Sequence, residues 1–421
     1  MDRLLSPNEA KFWLLDRTSP MNTVAVIQSR RRLNATALAA SSDFAIPTIT
    51  IGRNQRPRWS SDPDQQTAGR VEELVVADSS PDGWLPLARR LLNEPVGVAG
   101  QPGWRAIILQ HGADGPVCST LLFAVNHALA DWRGSLALAD AWIAGRHPGD
   151  LDPPIEEQLP SDAFANSAAA DLIDGWYGSA LASRWDKIGN DRLAAVMPRP
   201  VPATLSWARL TANETADLRA RCRDEGASMN AALAVALAEQ ARVAAIDLKV
   251  ADFKTADLKV ALAVDLSRRV PGADLGNSQP PAPGLTVSHV YVDVQPAATG
   301  GFWAAARQTR SRVAEQAASG FAGDALLILP RVLLRDELTE IGVTSGFSIT
   351  SPPADVWSTT HPDDQVMRFG LGPARAGGVV VHRSDFGDQL QIIVNRPDDA
   401  AQGADLAAAD LVARLRAAIT A

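Results

Sequence analysis

His127 and Asp131 stand four positions apart and are of the types that do acid/base chemistry. The unperturbed pKa of histidine lies near neutrality, so His127 can accept a proton from a hydroxyl or an amine and return it later in the same reaction. Asp131 could orient the imidazole directly, or it could fix the loop by pairing with a distant arginine, and the spacing does not choose between these roles. The structural alternative is an aspartate that caps a helix beside an ordinary surface histidine.

The elements around this pair can be read from the apolar pattern. Residues 121–125 form the unbroken apolar run LLFAV, which is typical of a strand buried on both faces. After Gly134, apolar residues at helical spacing continue to Ile143 and predict a helix. The sequence therefore places His127 where a buried strand ends and the chain turns towards a helix. Such a position can hold an imidazole rigidly at the edge of a cleft.

Length and charge limit the classes of protein to consider. At 421 residues the chain exceeds what one hydrophobic core usually holds, which predicts two domains. Apolar residues make up 46% of the chain and charged residues 21%, which is typical of a globular protein rather than a disordered one. The net charge of -8 argues against a nucleic-acid partner and against strong attraction to an anionic membrane.

Cysteine content and hydropathy narrow the choice further. Cys118 and Cys222 are too few for a disulfide framework or for a cysteine-built metal site, and we expect no metal. The N-terminus lacks the apolar core of a signal peptide, and no window approaches the roughly 18 consecutive apolar residues of a membrane span. We therefore expect a cytoplasmic protein without a transmembrane segment.

Strand and helix patterns alternate irregularly along the chain, which predicts an α/β (α+β) fold with mixed sheets and helices packed on them. Residues 53–69 are polar and rich in turn formers, and we expect an exposed loop there. Two proline clusters, at 153–154 and 198–202, bracket a helical segment around 171–185, which predicts the domain crossover. The predicted organisation is an N-terminal lobe with the HxxxD motif at 1–150, a crossover linker with a helix at 151–203, and a C-terminal lobe at 204–421.

Short motifs are spread along the chain in a definite order. They are Ser6-Pro7-Asn8-Glu9-Ala10-Lys11-Phe12, Pro20-Met21-Asn22, Pro102-Gly103-Trp104, His127-Ala-Leu-Ala-Asp131, Asn230 in a buried helix, and Leu275-Gly276-Asn277. From residue 4 to the C-terminus this order resembles the bacterial wax ester synthase/diacylglycerol acyltransferase family. That family belongs to the CoA-dependent acyltransferases, with nonribosomal peptide condensation domains and polyketide-associated acyltransferases. The resemblance implies two chloramphenicol-acetyltransferase-like lobes, each a mixed β-sheet with flanking helices, and an active-site tunnel between them with the histidine near its middle.

The resemblance also implies roles for individual residues. His127 matches the catalytic second histidine of His-His-x-x-x-Asp-Gly, the general base that deprotonates the acceptor. Asp131 matches the structural aspartate that pairs with an arginine of the other lobe, and Arg268 is the first candidate partner, with Arg269 the second. Ser351 falls in the place of the family's Asn-Val-Pro segment and is a candidate donor to the oxyanion, although the same residues are equally typical of a strand end.

The chain departs from the family pattern at several positions. Asn126 replaces the first histidine of the motif, and Trp132-Arg133 intervenes before the glycine. Ala231 replaces an aspartate and Gly103 a leucine. We expect Asn126 and Trp132 to line the tunnel, where the large indole would narrow or reshape the channel for the acceptor. That change argues against the family's wax ester and triacylglycerol products while leaving acyl transfer intact.

The function predicted from these features is acyl transfer from a thioester to a hydroxyl or amine. The resemblance implies no permanently bound cofactor, and acyl-CoA or a phosphopantetheinyl thioester as co-substrate. The expected partners are a small-molecule acceptor, the acyl thioester and, in one version, an acyl or peptidyl carrier protein. A carrier could dock on Arg30-Arg31-Arg32, although such a run is also typical of a solvated loop or strand edge. The expected state is a monomer or a dimer.

Two alternatives stay open. The altered residues around His127 are consistent with a catalytically silent protein that binds a ligand or a partner. The scaffold could also run a different acid/base reaction, such as cyclisation or elimination on a bound intermediate, in which no acyl group would be gained.

Overall fold

The computed structural model describes most of the chain. The described residues are 3–16, 20–40, 44, 46–51, 56–60, 69–75, 82–97, 101–112, 117–147, 151, 153–178, 202–247, 258–271, 284–295, 301–335, 347–351, 365–373, 378–386, 388–398 and 406–420. The predicted motif at 275–277 lies outside them.

The strands of the described residues are β1 (Arg3–Leu4), β2 (Asn22–Ser29), β3 (Thr48–Ile51), β4 (Pro57–Ser60), β5 (Arg70–Val75), β6 (Trp104–Gln110), β7 (Ser119–Asn126), β8 (Ala203–Arg209), β9 (Leu258–Asp265), β10 (Val287–Val294), β11 (Phe347–Thr350), β12 (Gln365–Leu371), β13 (Val379–Phe386) and β14 (Gln389–Pro397). The helices are α1 (Pro7–Asp16), α2 (Ala35–Ala40), α3 (Leu85–Asn93), α4 (Trp132–Ile143), α5 (Ile155–Gln158), α6 (Ala169–Tyr177), α7 (Ala212–Asp224), α8 (Met229–Asp247), α9 (Phe302–Ala318), α10 (Phe321–Asp324), α11 (Ile328–Arg335) and α12 (Ala408–Thr420).

The N-terminal lobe is built on a five-stranded mixed sheet with the order β12-β2-β7-β6-β5. Its central strands β2 and β7 are buried along their whole length, as the apolar run at 121–125 predicts. One face of the sheet packs against α1 and α4, and the other packs against α3 and the second lobe. The end of β7, which carries the candidate histidine, is therefore fixed from both sides.

The edge strand β12 comes from the second half of the chain and pairs with β2 in antiparallel register. The predicted C-terminal lobe at 204–421 thus gives one strand to the N-terminal sheet. A strand at this position was not expected from the sequence, because its partner lies more than 300 residues away along the chain. Pairing at such a distance leaves no local signal.

The C-terminal lobe is built on a six-stranded mixed sheet with the order β10-β9-β11-β13-β14-β8. Strand β11 runs parallel to both β9 and β13, while the remaining pairs are antiparallel. One face buries alternate apolar residues against α8, α9 and α12. The opposite face is directed at the N-terminal lobe, so the molecule is a mixed α/β protein of two lobes.

Two local predictions need correction or limits. The stretch 53–69 contains β4, and Trp59 of this strand and the preceding Arg56 are buried, so the stretch is not simply an exposed loop. Strand β4 pairs with β1 and β3 in a small sheet, and this pairing covers its polar backbone. The helical segment around 171–185 begins as α6, and its later part lies outside the described residues.

Within the described residues, no helix combines the length and the apolar character that a membrane crossing needs.

Gly370 lets β12 pass close to the start of α4. A Cβ atom at Gly370 would lie 2.6 Å from the Cβ of Trp132 and 3.1 Å from its Cα. We expect Gly370→Ala to lower the free energy of unfolding by about 1–3 kcal/mol, because backbone must shift to relieve the contact. Denaturant unfolding measures the change, and Gly112→Ala is the matched control because no atom of the described residues lies within 4 Å of a Cβ there. Equal stability of the two variants would contradict this packing.

Candidate active site

A cavity of about 150 Å³ lies between the lobes. The N-terminal lobe lines it with Phe12, Met21, Thr23, His127, Asp131 and Trp132. The polar residues that line it from the C-terminal sheet are Lys259, His289, Tyr291, Ser348, Thr350 and His382. The candidate histidine therefore faces a shared space rather than open solvent.

His127 follows the last residue of β7, and two contacts fix it. Its backbone N–H donates to the carbonyl of Met21 at 2.6 Å, which ties the turn to the start of β2. Its ring stacks on Phe12, with centroids 3.8 Å apart and planes 10° from parallel. Since the imidazole is half-buried and lines the cavity, it is held in one plane beside the space that a ligand would occupy.

Helix α1, which carries Phe12, is anchored at its N-terminus. A capping box is present: the backbone N–H of Ser6 donates to the Glu9 carboxylate, and the backbone N–H of Glu9 donates to the Ser6 hydroxyl. Glu156 adds a second anchor by accepting from the Ser6 hydroxyl at 3.0 Å and from the Asn8 backbone at 2.9 Å. Burial raises the pKa of Glu156 to about 7.

Asn126 holds the turn before His127 and is not among the described residues that line the cavity. Its side-chain oxygen accepts from the backbone N–H of Ala128 at 2.9 Å, and its amide donates to the carbonyl of Val96 at 3.2 Å. The asparagine that stands in place of the family's first histidine therefore fixes backbone, and the prediction that it lines the tunnel needs correction.

The carboxylate of Asp131 joins the two lobes. One oxygen caps α4 by accepting from the backbone N–H groups of Arg133 at 2.9 Å and Gly134 at 3.0 Å. The other accepts from Thr286 of the C-terminal lobe, from the backbone N–H at 2.9 Å and the hydroxyl at 3.1 Å. Burial raises the pKa of Asp131, and the hydrogen bonds from Gly134 and Thr286 and the charge of Arg133 oppose that rise.

Asp131 therefore caps α4 and also fixes the loop, but it does so through Thr286 and not through the distant arginine that the sequence suggested. Its donors among the described residues do not include Arg268, which lies in the short turn after β9. The predicted pair is absent because Thr286 already occupies the oxygen that faces the second lobe. Arg269, the second candidate, instead donates to the carbonyls of Ala317 and Asp162.

An ion pair between the lobes is present with different partners. Arg133 of α4 contacts Asp265 at the end of β9, with 2.7 Å between nitrogen and oxygen, and donates to the Ser267 hydroxyl at 3.0 Å. The arginine is 12% exposed and the aspartate 17%, so the contact is shielded from solvent. The inserted Trp132-Arg133 dipeptide thus supplies the cation that was expected from the other lobe.

Trp132 is the first residue of α4, is buried, and lines the cavity. Ser351 was expected to line the tunnel and donate to the oxyanion, but it is not among the described residues that line the cavity. Its hydroxyl instead accepts a hydrogen bond from the side-chain amide of Asn230 at 2.8 Å. Thr350, one residue earlier, lines the cavity instead. Successive residues of a strand point to opposite faces, so an offset of one position reverses the assignment.

The sequence reasoning missed the polar residues on the cavity side of the C-terminal sheet. Thr350 of β11 stands beside His382 of β13 in the parallel register, and Ser348 stands beside Val380. His382 is 3% exposed, and burial lowers its pKa to about 4. The available signal was the alternation of polar residues in these strands, but it could not say which face meets the other lobe.

The arrangement brings a proton acceptor from one lobe against hydroxyl and imidazole groups from the other. Such a site can accept a proton from a ligand bound between them and can hydrogen-bond an oxygen of that ligand. Among the described residues, no three His, Cys, Asp or Glu side chains are grouped so that they could hold a metal ion.

The two-lobed arrangement is the chloramphenicol-acetyltransferase-like fold of condensation and epimerization domains. Polyketide synthase associated protein 5 from Mycobacterium tuberculosis superposes with a TM-score of 0.59 at 16% identity, covering 100% of this chain and 98% of that one. The first condensation domain of the calcium-dependent antibiotic synthetase, in complex with a substrate analogue, gives 0.62 at 14% identity over 100% and 96%. The epimerization domain from the third module of tyrocidine synthetase B gives 0.57 at 12% identity, covering 100% and 97%. No protein-family model matches the chain, and no curated protein is detectably similar in sequence.

The bond between Asp131 and Thr286 yields a stability test. In Asp131→Asn an amide N–H₂ must face backbone N–H donors that the carboxylate now accepts from. We expect the free energy of unfolding to fall by about 1–3 kcal/mol, the cost of a buried donor left unpaired. Denaturant unfolding measures it, with Asp217→Asn on the exposed surface of α7 as the control. If Asp131→Asn lost no more free energy of unfolding than the control, the role of Asp131 in joining the two lobes would be contradicted.

Glu156 yields a pH test. Because its folded-state pKa is raised from 4.5 to about 7, the folded state binds the proton more tightly than the unfolded chain. Its contribution to stability is therefore lost as the pH rises from about 4.5 to about 7. Glutamine does not titrate, so the Glu156→Gln variant should not lose stability in this way. We expect the free energy of unfolding of the variant, measured relative to that of the unmodified protein, to rise by up to about 3 kcal/mol between these two pH values. Urea unfolding at a series of pH values measures the difference. Glu157 is exposed, and Glu157→Gln is the control. If it showed the same pH-dependent rise, the pH dependence could not be assigned to Glu156.

Proposed function

We propose that the protein is an acyltransferase that moves an acyl group from a thioester to a hydroxyl or amine, with His127 as the general base. The observation that carries the proposal is the position of His127, which is stacked on Phe12 and lines a cavity between two lobes. An imidazole held there can meet a thioester and an acceptor that enter the same space.

The chemistry needs one proton acceptor and one set of hydrogen-bond donors. As the acceptor attacks the thioester carbonyl, its O–H or N–H bond breaks and the proton passes to His127. A C–O or C–N bond forms, and a hydroxyl such as that of Thr350 can donate to the oxyanion of the tetrahedral intermediate. Collapse of the intermediate breaks the C–S bond, and the thiolate takes up the proton from His127. The products are an ester or amide and a free thiol.

Asp131 is a positioning residue in this scheme. Its carboxylate fixes the loop that follows His127 by binding α4 and Thr286 together, so the imidazole and the C-terminal sheet keep one spacing. Catalysis by proton transfer depends on that spacing, because a base must lie within hydrogen-bond reach of the proton it removes.

The donor that we propose is a thioester on CoA or on a phosphopantetheinyl arm, with an acyl or peptidyl carrier protein as partner in the second case. The likeness in fold to a condensation domain and to a polyketide synthase associated protein supports a carrier-bound donor. The wax ester synthase resemblance supports acyl-CoA. Trp132, buried in the cavity wall, argues against bulky wax ester acceptors because it takes up volume beside His127.

A second candidate function uses the same base without acyl transfer. The likeness to an epimerization domain favours removal and return of a proton on a bound intermediate. Mass spectrometry of the product distinguishes the two functions, because acyl transfer adds the acyl group to the acceptor and epimerization leaves its mass unchanged.

The test of the proposed function follows free thiol release from acyl-CoA and acyl-pantetheine of several chain lengths with a panel of alcohols and amines. We expect His127→Ala to lower the rate by about 10²–10⁴-fold, the usual contribution of a general base. His147→Ala is the matched control, because this histidine is exposed and is not among the described lining residues. Thiol release that persists in His127→Ala would overturn the proposal.

A further inference from the structure

His382 is a buried histidine that the proposed chemistry does not use. It lies on β13, is 3% exposed, and lines the cavity from the lobe opposite to His127. Among the described residues, neither ring nitrogen makes a hydrogen bond of normal geometry, and an interaction of poorer geometry with the Gly372 backbone partly opposes the lowering of its pKa. A buried polar group without a partner is uncommon in native proteins, and at a cavity wall it indicates a group that a ligand completes.

The surroundings of His382 favour a neutral ring. Burial lowers its pKa to about 4, so the imidazole stays uncharged near neutral pH. A neutral imidazole offers one donor and one acceptor, which suits a hydroxyl or a carbonyl oxygen better than an anion. Thr350 is the register partner of His382 on the neighbouring strand, where backbones lie about 5 Å apart, and it lines the same cavity.

We propose that His382, together with Thr350, determines acceptor specificity by hydrogen-bonding a second polar group of the acceptor, a hydroxyl or carbonyl oxygen apart from the nucleophile. The inference rests on the proposed function, since it assigns a property to the acceptor of that reaction. The preferred acceptor is therefore a diol, hydroxy acid or related compound rather than a simple fatty alcohol. An acceptor that lacks the second group leaves the imidazole unpaired in the complex, and such sites discriminate strongly.

The test compares acceptors that share a carbon skeleton and differ by one hydroxyl: 1-octanol with 1,2-octanediol and 1,3-octanediol, and 2-phenylethanol with 1-phenyl-1,2-ethanediol. Thiol release from octanoyl-CoA and octanoyl-pantetheine gives kcat/KM for each. We expect at least one diol to exceed its mono-alcohol by about tenfold, the effect of one net hydrogen bond. The ratio should fall to about one in His382→Phe, which keeps a ring of similar size but lacks the nitrogens, and should be partly restored in His382→Gln.

His111→Phe is the matched control. This histidine is also buried, but its Nε2 is paired with the Thr120 hydroxyl at 2.8 Å and it is not among the described lining residues. It reports the general cost of replacing a buried histidine, so the diol ratio should stay at the value of the unmodified protein. Circular dichroism and thermal unfolding verify that each variant is folded, and His382→Gln keeps the test valid if the phenylalanine variant is not.

A binding measurement distinguishes this inference from the proposed function. Isothermal titration of the same alcohols and diols into His127→Ala measures affinity without turnover. In the double variant that also carries His382→Phe, the preference for the diol should disappear.

The outcomes separate the two proposals. If the diol preference in binding depends on His382 but no thiol is released by the unmodified protein, the acyltransferase proposal fails and the binding role of His382 stands. If turnover occurs with no diol preference, or if His382→Phe lowers kcat equally for alcohols and diols, the specificity role is overturned and acyl transfer stands. Absence of both turnover and preference overturns both.

Discussion

The carboxylate of Asp131 is the constraint on which the rest of the site depends. It is buried, and its hydrogen-bond donors come from both lobes: α4 supplies two backbone N–H groups, and Thr286 supplies a backbone N–H and a hydroxyl. A buried carboxylate is tolerated only while its oxygens are hydrogen-bonded, so losing the donors of either lobe while Asp131 stays buried would be strongly unfavourable. The backbone N–H of Asp131 adds a bond to the carbonyl of Gly284, which brings the two backbones side by side. These bonds between Asp131 and the C-terminal lobe therefore fix the positions of His127 and of the first turn of α4.

The departures from the family motif act together at the same junction. Arg133 extends from α4 to Asp265 in the second lobe, while Asp131 binds Thr286. The family pattern implies an aspartate in the first lobe and an arginine in the second, whereas here the ion pair has its arginine in the first lobe and its aspartate in the second. Exchanging the two charges preserves their attraction, because a Coulomb interaction does not depend on which lobe carries the cation. The extra residues before Gly134 therefore maintain the connection between the lobes by another route.

Local pattern was enough to predict the elements that position His127, and it was not enough to predict its surroundings. The buried strand β7 and the helix α4 follow from the apolar spacing within a few residues. The partner of Asp131 depends on two segments 155 positions apart, and no spacing rule connects them. Ser351 was assigned from its place in the family's Asn-Val-Pro segment, and that alignment could not say which of two successive residues faces the cavity, because neighbouring residues of a strand point to opposite faces. His382 could not be recognised because nothing in the sequence says that its face of β13 lies against the other lobe.

The face of the C-terminal sheet that meets the N-terminal lobe has an apolar part and a polar part. Towards β14 and β8 it is apolar: Trp207 lies 6.1 Å from Trp84 of the N-terminal lobe between ring centroids, and Trp84 lies 5.1 Å from Phe369 of β12. Towards β9 and β11 it is polar and lines the cavity. The aromatic contacts hold one side of the interface closed, and the Asp131 junction holds the loop on the other, so the space between has little freedom to collapse onto its own polar groups. In a cavity kept open in this way, the buried ring nitrogens of His382 make no hydrogen bond of normal geometry with the described residues. A ligand that enters the cavity can supply the hydrogen bond that this imidazole lacks.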